Sequence, residues 1–507
     1  MKKIFIYTLG KHGFQEPNQL EEAIISSKRG DKVLYVNCDG AIGPCIQNPH
    51  FNKITCNSCV KEQKANNKKY LPPNVEQHFL SHYVTDRILK IASNIKFKYS
   101  NIDELKLITY KGVDIGYAAA STYITLTRNL NPKVNTYFTN YIDTLLIMEV
   151  LLTEIGEVIM INFNPNLVIL YNGRIATSKP ILQLAQNREI DFICTENISL
   201  FNKNVFKNHF YNKTPHSILA NQEKYFEMWD KNKDNPVDRE IIARSFFERR
   251  RNALSTNEHS YTQNHIFGKL PINWDKTKRN ICIFNTSEDE FFSTSLEFDN
   301  SIIFKSQLNG IREIIENYIE DETIHFYLRV HPNMSKISYK YHTDLYNLNY
   351  KNLTVIEANS TVSTYSLIDE SEKIIAFAST TGIEAAYWGK AVICLSGTFY
   401  RDLNVVYTPK NKLEVWKLID EKNLKCKYNI NVLKYGFFFM TENHQKHQYV
   451  VYDYVYYNFG FKKAKIQKNL KFLGSNILFM IYLYVMEKIT KKLKITSKFK
   501  HLPLEEE

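Results

Sequence analysis

Two apolar runs in this sequence end abruptly in residues that could do chemistry. The first is "FYLRVHPN" at 326–333, in which Pro332 stops a strand directly after His331. An imidazole at a strand end can donate to a phosphate oxygen and stabilise a departing phosphate, although a lone histidine is more often structural. Arg329 points to the same side of the strand and can assist His331 or form a structural ion pair.

The second run, "IIAFASTTGIEAAYWG" at 374–389, ends in hydroxyl residues before a helical pattern. The start of a helix presents unpaired N–H groups and the positive end of the helix dipole, so it attracts anions. A cap needs only one hydroxyl, whereas this stretch has three and a glycine: Ser379, Thr380, Thr381 and Gly382. We therefore predict phosphate binding here. Glu384, on the first turn, is predicted to accept from ribose hydroxyls, the alternative being that it complements the dipole.

The elements that must position these residues alternate between strand-like and helix-like segments. Apolar strands such as "KIFIYTLG" and "NICIFNTS" follow one another with helical patterns between them, which indicates parallel sheets covered on both faces. The pattern runs over 1–200, breaks at 201–275, which we interpret as linker and connecting helices, and resumes over 276–425. We expect an α/β protein of two Rossmann-like, doubly wound domains that face a cleft, with ligands beyond the carboxyl ends of the strands.

The net charge of +12 is concentrated near the C-terminus. Residues 461–500 contain eleven Lys and the single acid Glu487, so the rest of the chain is only mildly basic and nucleic acid is not an expected partner. We predict that 426–507 is an aromatic and basic helical region. Its apolar centre, "LGSNILFMIYLYVM", is flanked by lysines and is too short to span a bilayer, which takes about 20 residues. This pattern favours attachment to an anionic membrane surface over packing on the body of the protein.

Four of the eight cysteines, Cys38, Cys45, Cys56 and Cys59, lie close together in the sequence. They can bind a structural zinc ion, remain free thiols or have a redox role, and only one pair has the C-x-x-C spacing. The N-terminus lacks the apolar length of an export signal, so a reducing cytoplasm is expected. Cys194, Cys282 and Cys394 lie in predicted strands and are expected in the core.

Several motifs, in order, resemble the bacterial capsule and surface-polysaccharide glycosyltransferases of the two-Rossmann (GT-B) type. They are "YKGVDIG", "LYNGR", "CTEN", "FNTSEDEF", "RVHPN" and "STTGIEAAYWGKAVI". The pairing of His-Pro with Ser/Thr is also similar to that of bacterial sialyl- and Kdo-transferases, which use CMP-sugars. The resemblance extends over roughly residues 1–410 and depends on the order of the motifs, since none is decisive alone.

The resemblance implies roles for particular residues. His331 with Ser379, Thr380 and Thr381 would hold the donor phosphate, and Glu384 the ribose. Ser287 and the acids that follow it, Glu288, Asp289 and Glu290, would lie at the cleft between the domains.

Sugar transfer also needs a base that deprotonates the acceptor hydroxyl. Glu196 of "CTEN" follows a strand in the first domain and matches an acid of the family, although its neighbours depart from the family pattern. Asp39 of "NCDG" is the second candidate. Asn172 and Arg174 of "YNGR" either shape a loop or contact ligand.

The sequence thus predicts a glycosyltransferase, inverting and membrane-peripheral on the cytoplasmic face. It would move a sugar from a CMP-, UDP- or GDP-sugar to a growing capsule or lipopolysaccharide glycan or glycolipid. No Asp-x-Asp is present to hold Mg²⁺ and a diphosphate, so we expect that catalysis requires no cofactor. The alternatives are a non-hydrolysing sugar-nucleotide epimerase and a non-catalytic nucleotide-sugar-binding subunit of an assembly complex.

Overall fold

The computed structural model describes most of the chain, in two compact units. The described residues are 1–9, 15–46, 48–49, 51–197, 206–254, 256, 261–336, 339–441, 445–450, 454–459 and 462–467. The first unit comprises Met1–Pro215 and His444–Glu507, and the second comprises His216–Asn443.

The first unit is built on a sheet whose central strands are continuous apolar runs. In β1, for example, Ile4, Phe5 and Ile6 are fully buried, as expected for a strand covered on both faces. The sheet strands are β1 (Lys3–Thr8), β2 (Lys32–Asn37), β3 (Glu76–Phe79), β4 (Leu167–Tyr171), β5 (Asp191–Asn197), β6 (Phe206–Tyr211) and β12 (Gln445–Lys446). Their order is β12-β6-β5-β4-β1-β2-β3. Strand β6 pairs antiparallel with both of its neighbours, β5 and β12, and the other neighbouring strands pair in parallel.

The helices of the first unit connect these parallel strands. They are α1 (Gln15–Lys28), α2 (Lys53–Tyr70), α3 (Asp86–Asn94), α4 (Ile102–Lys106), α5 (Ile115–Thr127), α6 (Thr136–Phe163) and α7 (Lys179–Asn187). The long helix α6 begins where the Asn135 side chain accepts from the backbone N–H groups of Tyr137 and Phe138, and it ends at Asn164, whose φ is +49°.

The second unit contains a parallel sheet of five strands. These are β7 (Arg279–Phe284), β8 (Ile324–Arg329), β9 (Leu353–Ile356), β10 (Lys373–Ala376) and β11 (Ala391–Cys394), in the order β11-β10-β7-β8-β9. The chain therefore starts in the middle, adds β8 and β9 on one side, and then crosses to add β10 and β11 on the other. The direction of winding reverses between β7 and β10, and ligands of such sheets bind in the crevice beyond the carboxyl ends at this point.

The helices of the second unit are α8 (Ile218–Lys231), α9 (Pro236–Arg251), α10 (Leu296–Asp299), α11 (Gln307–Asn317), α12 (Lys340–Thr343), α13 (Thr364–Glu370), α14 (Thr381–Tyr387), α15 (Lys412–Asp420) and α16 (Ile430–Met440). Helices α8, α9 and α16 pack against one another. One core lies between the sheet and helices α11 and α15, where Ile281, Ile315 and Val415 are fully buried.

The predicted α/β class with two doubly wound sheets is confirmed. The units divide at 215/216 and 443/444, whereas the sequence analysis set its boundaries at 200, 275 and 425, because α8, α9 and α16 pack together within the second unit. The prediction of helix throughout 426–507 is wrong for part of that range. Beyond α16, residues Tyr454–Phe459 (β13) and Lys462–Gln467 (β14) pair as antiparallel strands, as favoured by the aromatic and β-branched residues of "YVYYNF".

The apolar centre of the C-terminal region, at 473–486, lies outside the described residues. Within the part of the chain that the structure describes, none of the helices has both the length and the apolar character needed to cross a bilayer.

Candidate functional site

The predicted phosphate-binding residues of the second unit lie at one edge of its sheet. In the register of the strands, Phe284 at the end of β7 is opposite both Ala376 of β10 and Arg329 of β8. The three strands therefore end level. His331 follows β8 and Ser379 follows β10, which lie on either side of β7. About two strand spacings, roughly 10 Å, therefore separate these two strand ends.

The ring of His331 is held by the turn that Pro332 begins. Its Nδ1 atom accepts a hydrogen bond from the backbone N–H of Asn333 at 3.2 Å, and the backbone N–H of His331 donates to Asn285 Oδ1 at 2.9 Å. Because Nδ1 is an acceptor, the proton of the neutral ring is on Nε2. The half-buried ring contacts Tyr261 edge-on. The geometry thus fixes Nε2 as a hydrogen-bond donor.

The hydroxyl residues after β10 form a tight turn into α14. Ser379 Oγ donates to Thr381 Oγ1 at 3.1 Å, and the Tyr400 hydroxyl donates to the Ser379 carbonyl. Gly382 is needed because a Cβ atom there would lie 2.3 Å from Tyr400 Oη. Gly382 therefore acts through close packing, while Thr380 and Thr381 remain partly exposed.

Glu384 has partners inside the protein. Its Oε1 atom lies 2.9 Å from Arg250 Nη2, its Oε2 atom accepts from the Tyr365 hydroxyl, and the residue is only 4% exposed. This geometry favours a structural role for Glu384, and contact with a ribose stays a prediction.

Two other predicted residues are also engaged internally. Ser287 is fully buried, and its hydroxyl donates to Asp289 Oδ1 at 2.6 Å. Arg329 is 3% exposed, and its guanidinium donates to the carbonyls of Glu357 and Ser360, both at 3.0 Å. The same guanidinium lies 2.9 Å from His265 Nε2. Of the two roles stated for Arg329, the structural one fits this geometry, although these partners are two carbonyls and an imidazole and not a carboxylate.

In the first unit, Glu196 lies near the end of β5 with its carboxylate oriented by two donors. The Tyr171 hydroxyl donates to Oε1, and Asn172 Nδ2 donates to Oε2 at 2.5 Å. Both donors come from the end of the neighbouring strand β4. Tyr171 was not predicted as a partner of Glu196 from the sequence, because only the pairing of β4 with β5 brings them together.

The second candidate base, Asp39, follows β2. In the sheet order, β1 and β4 lie between β2 and β5, so the ends of these two strands are about 14 Å apart. The Asp39 carboxylate accepts from the backbone N–H of Ser81 at 3.4 Å. The structure does not bring Asp39 and Glu196 together, so they are alternatives and not a pair.

The segment "YNGR" is a turn between β4 and α7. Asn172 and Gly173 both have positive φ angles, +63° and +81°, which asparagine and glycine tolerate best. Asn172 Oδ1 accepts from the backbone N–H of Arg174, and Arg174 Nη2 donates to Thr125 Oγ1 at 3.2 Å. Burial lowers the pKa of Arg174, while Glu196 acts in the opposite direction. Asn172 and Arg174 thus shape this loop, and contact with a ligand stays a prediction.

The four cysteines of the cluster form no disulfide bond in the structure. Cys38, Cys45, Cys56 and Cys59 are partly exposed, and burial is the main cause that raises the pKa of Cys38 and of Cys56. Within the described residues no group of three His, Cys, Asp or Glu side chains is arranged to hold a metal ion. The structural zinc ion stays a prediction. Cys194, Cys282 and Cys394 are buried, as predicted.

The second unit is thus a doubly wound α/β unit, with His331 and a hydroxyl-rich turn at the carboxyl ends of its strands as a candidate phosphate-binding site. Within this unit, residues 292–416 match the family model of capsule polysaccharide biosynthesis proteins. The matched segment contains the "RVHPN" and "STTG" motifs. The resemblance to capsule biosynthesis proteins is therefore confirmed for this part of the chain.

Solved structures similar to the chain include two transferases and an epimerase. The β-Kdo 2,4 transferase KpsC of Thermosulfurimonas dismutans is 14% identical, with 53% of this chain and 78% of that chain covered and a TM-score of 0.33. The β-Kdo 2,7 transferase KpsC of the same organism is 16% identical, with 55% and 78% covered and a TM-score of 0.30. The UDP-GlcNAc 2-epimerase of Neisseria meningitidis is 12% identical, with 86% and 98% covered and a TM-score of 0.24. Among the curated proteins none matches the chain.

Proposed function

We propose that this protein is a glycosyltransferase of capsule or related surface-polysaccharide synthesis that uses a nucleotide-sugar donor. The observation that carries the proposal is the level ending of β8, β7 and β10, with His331 and the 379–381 turn on either side of β7. The family match over residues 292–416 includes both motifs.

The chemistry of the second unit suits a leaving phosphate. During transfer, the bond between the anomeric carbon and the phosphate oxygen breaks, and the oxygen keeps the electron pair. Donors placed where this negative charge develops lower the barrier, by about 3–4 kcal/mol for a single strong donor. Nε2–H of His331 is such a donor, and the hydroxyls of Thr380 and Thr381 supply others. We propose that these groups act without a metal ion.

In the first unit, we propose Glu196 as the base that takes the proton of the acceptor hydroxyl. Tyr171 and Asn172 orient its carboxylate, and a base held in one orientation can remain aligned with the attacking hydroxyl. Attack on the face opposite the leaving phosphate inverts the anomeric configuration.

Attachment of the basic C-terminal region to an anionic membrane belongs to the same proposal. A lipid-linked acceptor would then be reached at the membrane surface. The apolar centre of this region, 473–486, lies outside the described residues, so only its lysine-flanked sequence supports this step.

The proposal is tested by incubating the purified protein with CMP-, UDP- and GDP-sugars and a surface-glycan acceptor in EDTA, and measuring released nucleotide and extended glycan. We expect one donor class to be consumed only when acceptor is present. Glu196→Gln should slow turnover by about 100-fold or more and leave donor binding intact. Glu157→Gln, at a partly exposed acid of α6 that pairs with Arg188, is the control.

Three results would count against the proposal. Conversion of a sugar nucleotide without acceptor would indicate an epimerase. Donor binding without turnover of any acceptor tested would favour a non-catalytic binding subunit. Unchanged activity of Glu196→Gln would reject Glu196 as the base and leave Asp39 as the candidate.

A further inference from the structure

The segment 261–275, which leads into the second sheet, carries a concentration of exposed apolar side chains. Among the described residues, Ile272 and Phe267 are, apart from the N-terminal Met1, the most exposed large apolar side chains, with relative exposures of 107% and 83%. Ile266 beside Phe267 is 53% exposed. Single apolar residues are common on protein surfaces, whereas a cluster of them marks a site of contact with a partner or a membrane.

Phe267 lies at the tip of a turn that is held at both ends. The carbonyl of Ile266 accepts from the backbone N–H of Lys269 at 3.1 Å and closes this first turn. The N–H of Ile266 donates to the carbonyl of Thr361, and the N–H of Ser363 donates to the carbonyl of Lys269, both at 2.9 Å. The base of the turn is therefore paired with the segment that follows β9, and its tip projects away from that segment.

Ile272 lies at the tip of a second turn, which is anchored by side chains. The backbone N–H of Trp274 donates to the carbonyl three residues earlier at 3.0 Å. The Trp274 ring stacks on that of Tyr327 of β8, with their centroids 4.3 Å apart, and Asn273 Nδ2 donates to Thr354 Oγ1 of β9 at 2.6 Å. Because β8, β9 and the segment after β9 anchor both turns, the two apolar tips are held on this side of the second unit.

The charges around the two turns are mainly positive. Within 261–278, three side chains are basic and one is acidic, a net charge of +2: Lys269, Lys276, Lys278 and Asp275. Lys276 lies 3.6 Å from Glu370 of α13, which offsets one of these charges in part. Apolar tips with lysines beside them match an anionic lipid surface, where apolar side chains enter the acyl boundary and lysines contact the headgroups.

We propose that these two turns are a second membrane contact of the protein, in which Phe267 and Ile272 insert into an anionic lipid surface. The inference goes beyond the proposed attachment of the basic C-terminal region, because it assigns a contact to the second unit itself. A membrane is favoured over a protein partner, since a stable protein interface buries about 800 Å² on each side, and three apolar side chains on two turns supply a smaller area.

The same segment also contacts the proposed phosphate site. Tyr261, at its start, contacts the His331 ring edge-on, with the ring centroids 5.1 Å apart. His265 Nε2 lies 2.9 Å from the Arg329 guanidinium. The segment therefore connects the two turns with the end of β8. If the proposed function holds, insertion of the turns would keep the donor close to the surface at which a lipid-linked acceptor lies.

The first test measures binding of the full chain to vesicles by co-sedimentation, with phosphatidylglycerol and phosphatidylcholine mixed or with phosphatidylcholine alone. Wild type should prefer the anionic vesicles. The double variant Phe267→Gln, Ile272→Gln should bind them at least about tenfold more weakly, because two apolar side chains no longer leave water. The control is Leu107→Gln, Leu413→Gln, at leucines that are 79% and 78% exposed elsewhere on the protein. The C-terminal region is the same in every protein, so the difference reports on the turns.

The second test measures insertion separately from binding, by quenching of tryptophan fluorescence with brominated lipids. Phe267→Trp places an indole at the tip of the first turn, and Leu413→Trp places one on α15. The four native tryptophans are common to both variants. The added fluorescence of Phe267→Trp should be quenched on anionic vesicles, and that of Leu413→Trp should not. Thermal unfolding verifies that each variant is folded.

Three results would overturn the inference. One is binding of the Phe267→Gln, Ile272→Gln variant like wild type, or an unquenched Phe267→Trp. The second is equal binding of wild type to both kinds of vesicle, which would contradict an anionic surface. The third is dimerisation that the double variant loses while its vesicle binding is unchanged, which would make the turns an interface between copies. If wild type bound no vesicles, the attachment of the C-terminal region would fail as well, while sugar transfer to a soluble acceptor would still test the proposed activity.

Discussion

Glu384 provides a sharp test, because the sequence and the structure favour different roles for it. It lies on α14, where its carboxylate contacts Arg250 of α9 and Tyr365 of α13. Arg250 is 6% and Glu384 4% exposed. The three side chains thus join three helices of the second unit.

Removing one charge of this pair should destabilise the second unit strongly. Glu384→Leu leaves the buried Arg250 guanidinium without its carboxylate, and breaking a buried pair in this way costs about 3–5 kcal/mol in the free energy of unfolding. For a unit of this size that corresponds to a decrease of roughly 10 °C in Tm. Adding Arg250→Met removes the stranded charge, so the double variant should recover most of the loss.

The assay is urea unfolding of the four proteins of this double-mutant cycle, monitored by circular dichroism in the absence of nucleotide. A coupling free energy of about 2 kcal/mol or more between the two positions would support the structural role. If Glu384→Leu unfolded like wild type yet bound nucleotide much more weakly, Glu384 would not have this structural role. That result would favour the ribose contact.

Two further predictions concern packing and burial. Gly382→Ala should lower the free energy of unfolding by about 1–3 kcal/mol, because the new Cβ would lie 2.3 Å from Tyr400 Oη. Adding Tyr400→Phe should relieve part of this loss, and chemical denaturation in which the single variant matched wild type would refute the close approach. Glu149 of α6 is fully buried, and neither of its carboxylate oxygens has a hydrogen bond in the described structure. Burial raises the pKa of Glu149 well above the usual value, and Lys179 opposes this increase. Ionisation of Glu149 therefore favours the unfolded chain. The stability that the protonated carboxyl contributes is lost as the pH rises above the ordinary glutamate range. Glu149→Gln should therefore raise Tm at pH 8 and have little effect at pH 4; an equal effect at both pH values would contradict this.

The sequence predicted the sheet architecture well because buried parallel strands appear as continuous apolar runs. The α/β class, two doubly wound sheets, and helices such as α6, α11 and α15 followed from such runs and from helical periodicity. The antiparallel strands β6 and β12 were not predicted. Their pairing joins residues more than 230 positions apart in the chain, and no local pattern encodes it.

The candidate site was predicted less completely. Sequence places His331 and Ser379 at strand ends, but it does not show whether a side chain faces ligand or the protein interior. Arg329, Glu384 and Ser287 were chosen for their chemistry, and the structure gives each of them internal partners. Glu288 was included only as one acid of "SEDE", because the aromatic residues that line a pocket with it come from separate segments of the chain.

Binding of the donor phosphate at the strand ends of the second unit can be tested by comparing nucleotides with nucleosides. Calorimetry would measure the affinities of CMP and cytidine, and of UMP and uridine, for wild type and for His331→Ala. His325→Asn is the matched control, because His325 lies on β8 and its ring is hydrogen-bonded to Thr354 Oγ1.

We expect the phosphate to strengthen binding to wild type and to the control by about tenfold or more. In His331→Ala most of this advantage should disappear, while the nucleoside affinity stays unchanged. If nucleotide and nucleoside bound wild type equally, or if His331→Ala kept the full phosphate advantage, His331 would not be a phosphate ligand.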